Sequence, residues 1–133
     1  MSNILEVATR HGTPVVLMTY ASYVAPGYTL ESFQRRELDY TLHQTPIEVW
    51  GSPANVVAGI EVHNRIVKEL SADPPGGAVV KLVDQASLIP KSGIYFNDIC
   101  HLTTAGSIAF VDNLIDSLTV LYREWSPEPQ DRP

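Results

Sequence analysis

The sequence predicts an α/β fold with parallel strands, and three observations carry that prediction. Two short apolar runs rich in β-branched residues, Thr13–Tyr20 (TPVVLMTY) and Ala78–Val83 (AVVKLV), lack the alternation of a strand with one wet face and suit strands buried on both faces. A long connection with helical patterns separates them, which makes parallel pairing with a right-handed crossover the simplest arrangement. A long amphipathic pattern follows the second run, as a covering helix would. With 133 residues, 44% hydrophobic and 18% charged, the chain suits at most one packed domain.

The elements follow in order. Ser2–Arg10 has helical spacing, with Ile4, Leu5, Val7 and Ala8 toward one side, and Gly12 follows as the left-handed stop. Pro14 fits only the first position of the strand that comes next. Ala21–Trp50 is irregular. Thr29 caps an expected helix through Leu30, Phe33 and Leu38 to about Leu42, which Thr45-Pro46 ends. Tyr20, Tyr23, Tyr28, Phe33, Tyr40 and Trp50 cluster here, and either shape a pocket beyond the strand's carboxyl end or pad a surface helix.

Ser52 as N-cap and Pro53 at N1 open a further helix, with Val56, Ile60, His63, Val67 and Leu70 along one face. His63 on that face reads as a core histidine. Ala72–Gly77 (ADPPGG) is a break. Lys81 inside the second strand places that strand near a sheet edge, where an ammonium can reach water. A loop with Pro90 and Gly93 leads to a last helix, capped by Thr103 or Thr104 and carrying Ile108, Val111, Ile115, Leu118, Tyr122 and Trp125 at 3–4 spacing. The domain is expected to span residues 1–125, with 126–133 (SPEPQDRP) a disordered polar tail.

Composition excludes several classes. A net charge of −6 and nine scattered Lys and Arg residues leave no basic stripe for nucleic acid. Cys100 is the only cysteine, so no internal disulfide forms, and it reads as a small buried hydrophobe. No apolar run reaches the length of a membrane span, and no charged segment followed by an apolar one opens the chain. A soluble, cytoplasmic protein is the expectation.

The chemistry-bearing stretch is Tyr95-Phe96-Asn97-Asp98-Ile99-Cys100-His101-Leu102-Thr103-Thr104-Ala105-Gly106. Asp98 stands three residues before His101. At that spacing a carboxylate can accept the imidazole Nδ1–H, fix the tautomer and leave Nε2 free to take a proton. The bland alternative is an aspartate capping a turn beside a partly exposed histidine. His11, His43 and His63 show no partner spacing, and no usual metal constellation appears. A metal-dependent hydrolase built on His43, His63 and His101 has no spacing in its favour.

The order TPVVLMTY, a helix carrying HNRIVKEL, AVVKLVD, a loop, YFNDICHLTTAG and a closing helix resembles the C-terminal half of SGNH/GDSL-type ester hydrolases. The resemblance runs from about residue 4 to residue 125, and D-x-x-H with its Thr-rich cap and glycine is its most specific part. It implies a partial flavodoxin-like, three-layer α/β/α fold in which these strands are the fourth and fifth of a parallel sheet, the fifth at an edge. It implies that Asp98 orients His101, and that His101 is the general base activating a serine hydroxyl and later protonating the leaving alcohol. An ester of small-molecule type would be the substrate, with no cofactor and no metal.

The chain departs from that pattern in what it lacks. It has no Gly-Asp-Ser nucleophile motif and no G-x-N-D motif. Ser52 reads as a helix cap and Ser107 lies inside a helix, while Asn55, Asn64, Asn97 and Asn113 do not stand in the oxyanion-hole context. The nucleophile must therefore come from another chain or be lost, and negligible esterase activity is expected of this chain by itself. The Thr13–Tyr20 strand would have an unpaired apolar edge, open to a complementing chain or to a second copy in a homo-oligomer. The alternative function is a non-catalytic α/β oligomerisation or binding module.

Overall fold

The structure is a computed structural model that describes residues 2–125. The tail expected over 126–133 lies outside the described residues. Helix α1 (Ser2–Arg10) buries Leu5 and Ala8, while Ile4 and Val7 face outward, so its apolar face is narrower than the sequence suggests. Gly12, at φ +60°, ends it: Gly12 N–H donates to Thr9 O and Thr13 N–H to Ala8 O.

Two strands form a parallel sheet, β1 (Val15–Met18) and β2 (Val80–Val83), in the register Val15 to Val80 through Met18 to Val83. Both are shorter than the apolar runs that announce them. Pro14, with no N–H to donate, lies just ahead of β1. Among the described residues each strand has one neighbour, so both are edges, and Lys81 on β2 is half-buried rather than sealed in.

Between the strands run α2 (Leu30–Gln34) and α3 (Pro53–Ala72). The sequence overstates α2, expected to reach Leu42. Its start is as expected: Thr29 Oγ1 accepts the Ser32 N–H and Ser32 Oγ accepts the Thr29 N–H. Its end comes at Arg36, which takes a left-handed backbone at φ +58°. Arg36 N–H donates to Phe33 O and Glu37 N–H to Ser32 O. The same two bonds close α1 at Gly12, so Arg36 does at some conformational cost what a glycine does elsewhere. In α3 the Ser52 hydroxyl makes no capping bond, and Pro53 at N1 opens the helix by its fixed φ.

After β2 come the short α4 (Gln85–Leu88) and then α5 (Thr104–Trp125). Thr103 is the cap of α5: its Oγ1 accepts the Gly106 N–H at 3.1 Å. Both α3 and α5 pack on the sheet. The buried side of α5 is Gly106 and Leu121, with Phe110 and Asn113 half-buried beside them. That reverses an expectation. The 3–4 stripe from Ile108 to Trp125 is left largely uncovered, each member 44% or more exposed, although Trp125 Nε1 donates to Gly12 O at 3.0 Å.

The densest core lies beyond the strands rather than under them. Tyr23, Ala25, Phe33, Tyr40, Ile89 and Phe96 form one buried cluster. Tyr23 meets Tyr40 edge-on at 5.7 Å and Phe96 at 5.8 Å. The Tyr40 hydroxyl donates to Tyr23 O and accepts the Ala25 N–H, so its polar end is satisfied inside. Two glycines allow the backbone crossings around this cluster. A Cβ on Gly93 would lie 1.3 Å from Asp39 O, and one on Gly106 would lie 2.1 Å from Tyr95 O.

Gly106→Ala should therefore lower unfolding free energy by about 3 kcal/mol or more, because backbone rather than a flexible side chain must yield. Urea unfolding measures this. A loss under about 1 kcal/mol would mean that the approach of α5 to Tyr95 is looser than described.

Candidate active site

Each strand ends in a polar residue that ties the two together. Thr19, just past β1, donates its hydroxyl to Asp84 Oδ1 at 2.7 Å and accepts the Ala86 N–H at 2.9 Å. Asp84, just past β2, also accepts from Ser87 Oγ and pairs with Lys68 Nζ at 2.6 Å. Asn64 on α3 clasps the next residue: its Oδ1 accepts the Tyr20 N–H and its Nδ2 donates to Tyr20 O. The carboxyl ends of both strands are thus fixed against α3 and α4.

The Asp98–His101 stretch sits at this same end. Tyr23 N–H donates to Ile99 O at 2.8 Å, and Cys100 borders Tyr20 in two adjoining cavities. Asp98 is completely buried. Its Oδ1 accepts the backbone N–H groups of Cys100 and His101, each at 2.9 Å, and its Oδ2 accepts the Thr45 N–H at 2.9 Å. His101 Nδ1 lies 2.7 Å from Oδ2 and 3.0 Å from Oδ1. A carboxylate only accepts, so this contact selects the tautomer with the proton on Nδ1, which in the neutral ring leaves the lone pair on Nε2. Among the described residues Nε2 has no hydrogen-bond partner. The His101 side chain is 42% exposed, and the Trp50 ring flanks it at 6.5 Å between centroids.

Asp98 caps a turn and aims an imidazole at once, so the two readings of the sequence describe the same carboxylate. Thr45 is a positioning group that spacing could not reveal. The chain from Thr41 to Thr45 runs beside residues 96–98: Thr41 N–H donates to Phe96 O, His43 N–H to Asn97 O, and Thr45 N–H to Asp98 itself. His43, at φ +52°, stands against Phe33 and Tyr40 with a buried Nε2 that lacks a partner. Burial and the Arg36 charge lower its pKa against the opposing charge of Asp39.

Beside Cys100 and Trp50 lies an open cavity of about 370 Å³, lined by Tyr20, Val56, Ile60, His63 and Ile99 among others. A second, of about 290 Å³, adjoins it and shares Tyr20, His63 and Cys100. His63 is therefore not a core residue: it is exposed and lines both cavities. The aromatics of 20–50 fill one of the two expected roles and a third that the sequence did not suggest, while none merely pads a surface helix. Tyr20 and Trp50 line the cavity, whereas Tyr23, Phe33 and Tyr40 build the core.

Cys100 is half-buried at the cavity wall rather than sealed inside. Its Sγ lies 3.6 Å from His101 Nδ1, but that nitrogen is already engaged by Asp98 at shorter range. Burial pushes the thiol pKa up, and the Asp98 charge adds to this against the Tyr20 hydrogen bond. Tyr20 is itself pushed up to about 12 by burial and by its contact with Cys100. The cysteine is thus a neutral thiol without a base, poorly suited to nucleophilic attack. Ligand atoms of Asp98, Cys100 and His101 lie within 4.8 Å of one another. The Asp98 oxygens are already taken by three N–H groups and the imidazole, so this donor set does not fit a metal ion.

The asparagines considered from the sequence have structural employment. Asn64 holds Tyr20, Asn97 Nδ2 donates to Leu102 O, and Asn113 Nδ2 donates to Gln85 Oε1. Asn55 lines the larger cavity. Ser52 and Ser107 are exposed, and neither hydrogen-bonds His101. No helix among the described residues is long and apolar enough to cross a membrane. No family model, no curated protein and no solved structure matches this chain.

The strand-end tie is pH-dependent. Burial raises the Asp84 pKa, but hydrogen bonds from Lys68, Thr19 and Ser87 outweigh that and hold it at about 2. Unfolded aspartate titrates near 4, so the tie stabilises the fold fully above about pH 4 and is lost as pH falls through 2. Melting temperatures of the protein and of Asp84→Asn should therefore converge between pH 4 and 2. A gap constant across that range would show that Asp84 is not held ionised by these partners.

Proposed function

We propose that this chain supplies the Asp-His part of a Ser-His-Asp ester hydrolase of SGNH type, with the nucleophilic serine on another chain or lost. The observation that carries the reading is the 2.7 Å contact between His101 Nδ1 and a fully buried Asp98, next to Cys100 and Trp50, which line a cavity at the strands' carboxyl ends. In this reading β1 and β2 are the fourth and fifth strands of a larger flavodoxin-like sheet, and α3 and α5 cover its opposite faces.

The chemistry divides accordingly. His101 Nε2 would take the proton of an incoming serine hydroxyl as it attacks the ester carbonyl. The imidazolium formed is stabilised by Asp98 and returns the proton to the departing alcohol. Water then repeats the cycle on the acyl-serine. The cavity walls from Tyr20, Trp50, Val56 and Ile60 suit the apolar part of an ester. Among the described residues no serine hydrogen-bonds His101, and the chain carries neither motif that supplies the oxyanion donors in the resembled family, a contribution worth several kcal/mol in complete sites. By itself it should not turn over.

A non-catalytic binding module is the second reading, favoured by the unpaired edge of β1 and by the exposed stripe on α5. One experiment separates the two. The purified chain and His101→Ala should hydrolyse p-nitrophenyl acetate at rates within about twofold of each other, as the absence of an activated serine requires. Material co-purified with the tagged chain from its own cells, treated with a fluorophosphonate, should carry label on a serine of a second chain, lost with His101→Ala. Label on a serine of this chain contradicts the missing nucleophile. No label anywhere excludes a complementing chain and leaves a lost nucleophile or the module.

A further inference from the structure

The stripe on α5 is more regular than a covering helix needs. Ile108, Val111, Ile115, Leu118, Tyr122 and Trp125 follow one another at steps of three and four, the a and d positions of two and a half heptads. All six are exposed. The stripe does not look into empty space at random: Leu118, Tyr122 and Trp125 border a groove whose other wall is Thr13, Pro14 and Val16 of the β1 segment. Helix stripe and strand edge thus form one continuous apolar surface.

That edge is unpaired. Val15 N–H donates to Val79 O and Thr19 N–H to Val83 O, so the odd-numbered residues of β1 bond to β2. The peptide groups of Val16 and Met18 point the other way, where no described residue pairs with them. Such an edge accepts another strand.

We propose that a second copy of this chain covers this surface, about a two-fold axis normal to the sheet. The β1 strands would pair antiparallel into a four-stranded sheet, and the two α5 helices would lie antiparallel on the same face. The dimensions agree. Neighbouring strands lie about 4.8 Å apart, and α5 packs on β2 while sharing grooves with Val16 and Met18 of β1, so it lies across the pair. Pairing two such units at β1 puts the α5 axes about 10 Å apart, the distance at which helices interdigitate.

The pairing sets Ile115 against the partner's Leu118, Val111 against the partner's Tyr122 and Ile108 against the partner's Trp125. It sets Arg123, the one cation of α5, level with the partner's Phe110 and within about a turn of the partner's Asp112. The exposed parts of the six side chains come to roughly 600 Å² per copy, and with the strand edge they approach the roughly 800 Å² per partner of a standard stable interface. Closure by a two-fold leaves no further β1 edge to recruit a third copy.

This dimer does not require the hydrolase reading, although a chain carrying missing strands would need the same edge. Light scattering after size-exclusion chromatography tests it. At tens of micromolar the mass should be twice 14.7 kDa, with His101→Ala unchanged. The double variant Ile115→Glu/Leu118→Glu, on side chains already exposed in the monomer, should run at 14.7 kDa with the same far-ultraviolet circular dichroism. Ile108→Glu/Tyr122→Glu serves as an independent pair and should do the same. A monomer for the unaltered chain at 100 micromolar, a dimer that survives both double variants, or a species larger than a dimer would overturn the proposal.

Discussion

A single buried carboxylate organises the end of this protein at which both strands finish. Asp98 has no exposure to water, so the cost of its charge must be met by hydrogen bonds. Three backbone N–H groups and one imidazole meet it. Two of the three come from its own turn, which makes the turn. The third, from Thr45, fastens a distant segment over it. The imidazole is the remaining donor, and its orientation follows from the others: once the backbone groups fix the carboxylate, His101 has one direction in which to present Nδ1, and Nε2 looks outward.

The aromatic core serves that arrangement. Tyr23, Phe33, Tyr40 and Phe96 lie between the strand ends and the segment from Thr41 to Thr45. Gly93 lets residue 39 pass close, and Gly106 lets α5 reach the turn at Tyr95. The sheet is the thinner part of the fold, two strands of four residues, tied at their ends by Thr19, Asp84 and Lys68. Burial is thus concentrated where the imidazole must be held and is sparse along β1 and the outward stripe of α5, where apolar surface stays uncovered.

Much of this was legible in the residues. The two strands, the Thr29 cap, a threonine cap at 103 or 104 and the Asp98–His101 pair rest on local spacing, and the parallel sense on the long connection, all of which a linear sequence displays. What was not legible depends on contacts across the chain. The end of α2 at Arg36 hides because a left-handed arginine carries no compositional mark, unlike Gly12 at the equivalent place in α1. Thr45 hides because it contributes an N–H, which every residue but proline has. His63 and the α5 stripe mislead for one reason: an apolar face at helical spacing announces burial against something, and here the described chain does not supply it.

The central claim is that Asp98 holds His101 as one tautomer with Nε2 open. Nitrogen-15 NMR of the imidazole measures that directly. The account predicts that the neutral imidazole of His101 carries its proton on Nδ1 and none on Nε2, with the two resonances collapsing toward the averaged values of free histidine in Asp98→Asn. Averaged tautomers in the unaltered protein, or a proton fixed on Nε2, would contradict it.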